Sequence, residues 1–225
     1  MNFDQSSVDV EKNAEIIKKI YDGDIEGLKY ETGSSDDSLD LNGLTYLADD
    51  IAELLVTGAF YNQKIDLNGL EEISDSALGI LTQKNEGSIE LSGLKTISDS
   101  QAEQLSKINA FLQLDGITDL SPVAADFLAQ HKKGLSLNGI TNLTDALAES
   151  LSRMKSDLFL DGLTTISDSA ARILSKREYG ICMSHLTTIS DEAAKLLNDY
   201  DLAKKGPYYL TVSGQVRAQM NNLGK

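Results

Sequence analysis

One cysteine stands in 225 residues, so no intramolecular disulfide can form and stability has to come from packing. That fits a reducing compartment. No stretch approaches the roughly 18 to 20 consecutive apolar residues that a membrane span requires, which excludes insertion as a helical span. The first residues, MNFDQSSVDVEKNAEIIKKI, lack a basic start followed by an apolar run. A cytoplasmic location is therefore favoured, with a secreted or host-targeted protein whose leader has been trimmed as the alternative. With one cysteine and two histidines, a zinc site has too few ligands. There is no phosphate loop, no GxSxG elbow, no dinucleotide fingerprint and no DxDxDG calcium loop. The expectation is a chain that is not an enzyme and carries no cofactor and no metal.

Arginine is missing from the first 110 residues. That half holds 22 acids and 8 lysines, a net of −14, whereas residues 111–225 hold 13 acids and 12 bases, a net of −1. The first half would repel a polyanion, so nucleic acid is not an expected partner. A basic protein is electrostatically easier to bind. At 41% hydrophobic and 24% charged, the composition is that of an ordinary folded chain.

What the sequence does have is repetition. The strings LDLNGL, IDLNGL, IELSGL, LQLDGI, LSLNGI, LFLDGL and ICMSHL begin at Leu39, Ile65, Ile89, Leu112, Leu135, Leu158 and Ile181, with spacings of 26, 24, 23, 23, 23 and 23. A degraded eighth copy, LTVSGQ, starts at Leu210 after a spacing of 29. Each of the first seven continues alike: an aliphatic (Leu47, Ile73, Ile97, Leu120, Leu143, Ile166, Ile189), then a small or polar residue. A mostly alanine position follows (Ala52, Leu78, Ala102, Ala125, Ala148, Ala171, Ala194), and a leucine three residues later.

The opening LxL alternates apolar and polar residues, the period of a half-buried strand. The following Gly suits a chain leaving the strand at a backbone angle that other residues resist. The second half carries apolar residues at helical spacing behind a Ser or Thr placed to cap a helix. An Asp usually comes next, on the positive end of the helix dipole. In the fourth copy Pro122 takes the first helical position, where its missing N–H costs nothing. One strand and one helix in 23 residues cannot bury a core alone, so the units must stack with their strands in parallel.

A unit of the form LxLxGLxxLSDxxAxxL resembles leucine-rich repeats, in particular the cysteine-containing variety whose second half begins ITD or LTD, as in ITNLTDALAESL here. The closest likeness is to a bacterial variety with LNGL and LSDEAA-like strings, seen here as LSLNGI and ISDEAAKLL. The resemblance covers residues 39 to about 200. It implies an α/β fold: a right-handed leucine-rich-repeat solenoid of seven to eight repeats, with a parallel sheet on the concave face and short helices on the convex face. The commonest consensus places an Asn after the strand to form a buried ladder, and here an aliphatic takes that place (Leu94, Ile140, Leu163).

Domain organisation follows. Residues 1–37 form an N-terminal helical cap and loop, with Val10, Ala14, Ile17 and Ile20 near helical spacing. Residues 38–200 form the array, and 201–225 a degraded terminal repeat and C-terminal cap, all in one domain. The resemblance implies binding of a protein or peptide by the strands' outward residues. One row reads Asp40, Asp66, Glu90, Gln113, Ser136, Phe159 and Cys182, and the second reads Asn42, Asn68, Ser92, Asp115, Asn138, Asp161 and Ser184. Carboxylates directly across neighbouring strands repel, so Asp40, Asp66 and Glu90 call for solvation, a cation or a basic partner. Alternatives are a self-associating structural solenoid and a regulatory subunit of an enzyme, with a monomer favoured. His185 replaces Gly in the seventh copy as a turn residue, and His131, in a helix-to-strand loop, reads as a surface residue.

Overall fold

The computed structural model describes residues 38–57, 64–204 and 210–223, with the isolated positions Lys18 and Asp22. Lys18 and Asp22 are helical and exposed. The rest of the N-terminal cap region and residues 205–209 lie outside the described residues. Among the described residues, eight strands alternate with eight helices. All strand pairs are parallel, so the class is α/β with helical crossovers. No helix among the described residues is long and apolar enough to cross a membrane.

Contacts group the chain into two compact units. One comprises residues up to Lys95 together with Ile108–Leu114, and the other Thr96–Lys107 and residues from Asp115 onward. The first unit holds β1 (Ser38–Asp40), α1 (Asp49–Val56), β2 (Lys64–Asp66), α2 (Asp75–Leu81), β3 (Ser88–Glu90) and β4 (Phe111–Gln113). Its strands pair in chain order, aligning Leu39, Ile65, Ile89 and Leu112 in one row and Asp40, Asp66, Glu90 and Gln113 in the next. The second unit holds α3 (Asp99–Lys107), α4 (Pro122–Leu128), β5 (Leu135–Ser136), α5 (Asp145–Ser152), β6 (Leu158–Phe159), α6 (Asp168–Leu174), β7 (Ile181–Met183), α7 (Asp191–Lys204), β8 (Leu210–Val212) and α8 (Gly214–Leu223). Here Leu135, Leu158, Ile181 and Leu210 align, and so do Ser136, Phe159, Cys182 and Thr211. The degraded copy from Leu210 is thus a true strand in register.

The aliphatic rows are buried. Leu39, Leu41, Leu44, Ile65, Leu67, Leu70 and their counterparts through the seventh copy are nearly solvent-free, as are the helix residues Ala52, Leu78, Ala102, Ala125, Ala148, Ala171 and Ala194. Each such Leu or Ile contributes about 1.5 to 3 kcal/mol by leaving water. Helix starts follow the sequence reading. Ser74, Ser98, Ser121, Thr144, Ser167 and Ser190 each accept the backbone N–H three residues on. Ser98 and Gln101 bond reciprocally, because the Gln101 side chain also accepts the Ser98 N–H. The aspartate that opens a helix has a second role. Asp49 accepts from Ser76, Asp99 from Ser121, and Asp168 from Ser190, each donor belonging to the next copy. Among the described helices, α1 alone begins on alanine, Ala48, which offers no side-chain cap.

The structure corrects the reason for the glycines. Gly69, Gly93, Gly139 and Gly162 do not take the left-handed backbone conformation; among the described glycines only Gly87 does, at φ 75°. Their constraint is the preceding copy. A Cβ on Gly69 would lie 2.0 Å from the Asn42 carbonyl oxygen, and one on Gly162 2.0 Å from that of Asn138. Backbone rests directly on backbone there. At the seventh copy His185 has that Cβ, and its Nδ1 lies 2.8 Å from the Asp161 carbonyl oxygen, so the imidazole meets the equivalent carbonyl.

A second correction concerns the residue three beyond each closing leucine. Lys84, Ile108, His131, Met154, Arg177 and Tyr200 occupy this position in successive copies, and all are buried. His131 is therefore an interior residue, 1% exposed, and not a surface one. Arg177 donates to the carbonyls of Leu151, Ser156 (2.7 Å) and Gly180 (3.5 Å), which satisfies one carbonyl in the last turn of α5 and two in the loops before β6 and β7. Burial drives the Lys84 ammonium down to about 8, against a smaller opposing pull from Glu86.

Gly69→Ala and Gly162→Ala are expected to cost about 2 kcal/mol or more each, because backbone rather than a flexible side chain must yield. At Gly214, the first residue of α8, nothing lies within 4 Å of the added methyl. Gly214→Ala is expected to be neutral or stabilising by up to about 1 kcal/mol. Urea denaturation of the three variants checks the contrast.

Candidate functional site

Alternation along each strand sends the residue between the two aliphatics to the face away from the core. In-register pairing then sets those side chains side by side. In the first unit the row runs through Asp40, Asp66, Glu90 and Gln113. The Asp40 side chain lies outside the described residues. Asp66 and Glu90 stand directly opposite, and the charge compensation comes from the chain itself. Lys64, two residues before Asp66 and so on the same face, places its ammonium 2.8 Å from Glu90 Oε1. Asn42 Nδ2 donates to Asp66 Oδ2 at 2.9 Å, the Asn68 N–H donates to Asp66 Oδ1 at 3.1 Å, and Asn68 Nδ2 donates to Glu90 Oε2 at 3.3 Å. Glu90 is only 9% exposed.

The second row, placed at the turn after each strand, serves the backbone. In the first unit Asn68 Oδ1 accepts the Ser92 N–H at 2.6 Å, and Gln113 Nε2 donates to Ser92 Oγ at 3.2 Å. In the second unit Asp115 accepts the Asn138 N–H at 2.9 Å, Asn138 accepts the Asp161 N–H at 2.7 Å, and Asp161 accepts the Ser184 N–H at 2.6 Å. A polar ladder after the strand thus exists. It stands two residues before the aliphatic position (Leu94, Ile140, Leu163) at which the commonest leucine-rich consensus has its Asn. Ser136, 3% exposed, gives its hydroxyl proton to Asp115, so it too is held internally. Phe159 and Cys182 are half-buried neighbours on β6 and β7.

Asp161 gathers four contacts: the Ser184 N–H, the Ser184 hydroxyl at 2.7 Å, the Cys182 thiol at 3.2 Å, and His185 through its own carbonyl. Burial works to raise its carboxyl. The bonds from Ser184 and Cys182 and the charge of His185 together outweigh it, leaving Asp161 below the usual carboxylate range. The same arrangement acts oppositely on the thiol. Burial first, then the Asp161 carboxylate, push Cys182 up. It is therefore a protonated thiol at neutral pH, donating to Asp161.

No group of three or more His, Cys, Asp or Glu side chains is placed to hold a metal ion among the described residues. The chain matches no protein-family model, no curated protein and no solved structure.

Sequence reasoning missed three things here. Lys64 lies one residue before its copy's strand aliphatic and shows no periodicity that would flag it. The backbone role of the second row was hidden because Asn, Asp and Ser at a turn read equally well as outward contacts. The buried position three beyond each closing leucine carries a different residue type in each copy, so no repeat motif exposes it.

The raised thiol has a direct consequence. Cys182 is expected to react with iodoacetamide at pH 8 more slowly than free cysteine, and Asp161→Asn is expected to speed that reaction severalfold by removing the adjacent negative charge. Rates followed by mass spectrometry, with circular dichroism confirming that the variant is folded, check this.

Proposed function

We propose that this chain is a leucine-rich-repeat-like solenoid, coiled right-handedly, that acts as a non-catalytic interaction module and binds a protein or peptide on the strand face. The observation that supports this reading is the register. Every strand contributes one outward residue to a straight row, four to a unit, and each row is braced from beneath by side-chain bonds to the next copy's backbone. Such a surface is ordered before binding, so little conformational entropy is lost on docking. The two units offer different chemistry: the Asp66 carboxylate, beside the mostly covered Glu90, in one, and Phe159 and Cys182, beside the internally held Ser136, in the other. Because Lys64 already meets Glu90, the apolar contact at Phe159 is the stronger anchor, with Asp66 favouring a basic residue on the partner. The fold alone does not dictate this role.

Photo-crosslinking tests it. A benzophenone amino acid at position 159 is expected to trap a discrete partner in an extract of the source cells. The same group at Glu149, exposed on helix α5, is expected to trap none. Equal capture from both positions would contradict the strand-face reading. A product of twice the chain's mass from position 159 would instead support a self-associating solenoid.

A further inference from the structure

A cleft of about 520 Å³ opens at the C-terminal ends of α4 and α5, on the loops that lead into β5 and β6. Its lining carries the cations Lys132, Arg153 and Lys155 against a single carboxylate, Asp126. That is a local excess of positive charge in a chain whose formal charge is −15. The remaining wall is formed by Ala129, Gln130 and the buried His131. Ala129 and the aliphatic stems of the lysines give the lining its apolar share, with the charged heads at its rim.

Helix dipoles favour Arg153, the C-cap of α5, but do not account for the two lysines. A cation complements a helix C-terminus only within about the last turn. α4 ends at Leu128 and α5 at Ser152, and neither has a basic residue in its last turn. Lys132 and Lys155 stand past those ends. Arg153 is different in kind: its guanidinium is anchored on Asp126, which also accepts from the Ser150 hydroxyl. An arginine fixed on one side presents its remaining N–H groups as a planar fork, the geometry that suits phosphate or carboxylate oxygens. The volume falls in the range of small-molecule sites, roughly 300 to 1,000 Å³.

We infer that this cleft binds a small organic anion, a compact aromatic or aliphatic body bearing a phosphate or carboxylate, with Arg153, Lys132 and Lys155 on the oxyanion and Ala129, Gln130 and the lysine stems on the body. This is separate from the strand-face proposal and stands or falls without it.

Phenyl phosphate is the probe, titrated into the isotope-labelled full chain at low salt and followed by amide chemical shifts. Saturable binding is expected with a Kd of about 1 mM or tighter, with the shifts concentrated at residues 126–132 and 153–156. Inorganic phosphate and benzyl alcohol, each offering half the chemistry, are expected to bind at least about tenfold more weakly. Arg153→Gln with Lys155→Gln is expected to weaken phenyl phosphate about tenfold or more. The charge-matched control, Lys107→Gln with Lys176→Gln, changes exposed cations outside the cleft and is expected to leave binding within about twofold. Failure to saturate by about 10 mM, equal losses in both double variants, or shifts spread over other surfaces would each overturn the inference.

Discussion

Just past each strand the chain turns, and a backbone N–H at that turn has no partner in the parallel ladder. A buried or half-buried N–H left without an acceptor would cost about 1 to 3 kcal/mol. Here the acceptor is a side chain from the copy before: Asn68 for Ser92, Asp115 for Asn138, Asn138 for Asp161, Asp161 for Ser184. The glycine next in sequence lets that bond form, because at Gly69, Gly93, Gly139 and Gly162 the backbone sits where no Cβ would fit against the neighbouring carbonyls. Turn, glycine and polar ladder are one device for setting successive copies at a fixed separation. The aliphatic rows are then shielded from solvent.

Electrostatics are arranged around this packing. The helix-opening Asp49, Asp99 and Asp168 accept from a serine of the next copy, so each of these carboxylates both faces a helix dipole and ties neighbouring copies. On the strand face, opposed acids are reconciled by Lys64 and by amide side chains. In the interior, Arg177 is accepted because backbone carbonyls receive its protons. Asp161 and Cys182 form a donor–acceptor pair that keeps the thiol protonated and quiet.

Much of this was legible in the sequence. The strand starts at Leu39, Ile65, Ile89, Leu112, Leu135, Leu158, Ile181 and Leu210 all fall within strands, because a period-2 apolar pair followed by a turn leaves few alternatives. Ser74, Ser121 and Ser167 cap helices where the spacing placed them. The failures share a cause: they concern what one copy does to the next. The glycines read as a dihedral requirement, whereas their constraint is a carbonyl 22 to 27 residues away. The Asn and Asp of the second row, expected as outward contacts, also have side-chain oxygens that accept the following copy's backbone N–H groups, a role no single copy reveals. His131 reads as surface from its place in a helix-to-strand loop beside Lys132 and Lys133, although its own position is buried in every copy described. Single-copy patterns carry composition and period; they do not carry inter-copy distances.

Native-state hydrogen exchange at the ladder amides tests the central claim most directly. The N–H groups of Ser92, Asn138, Asp161 and Ser184 lie in turns, where ordinary loop amides exchange quickly. If side chains of the preceding copy hold them, they are protected to nearly the same degree as the strand amides of Leu67, Leu91, Leu137 and Leu160. Exchange at these four sites at the rate of an unstructured peptide, with the strands still protected, would show that the ladder does not set the spacing of the copies.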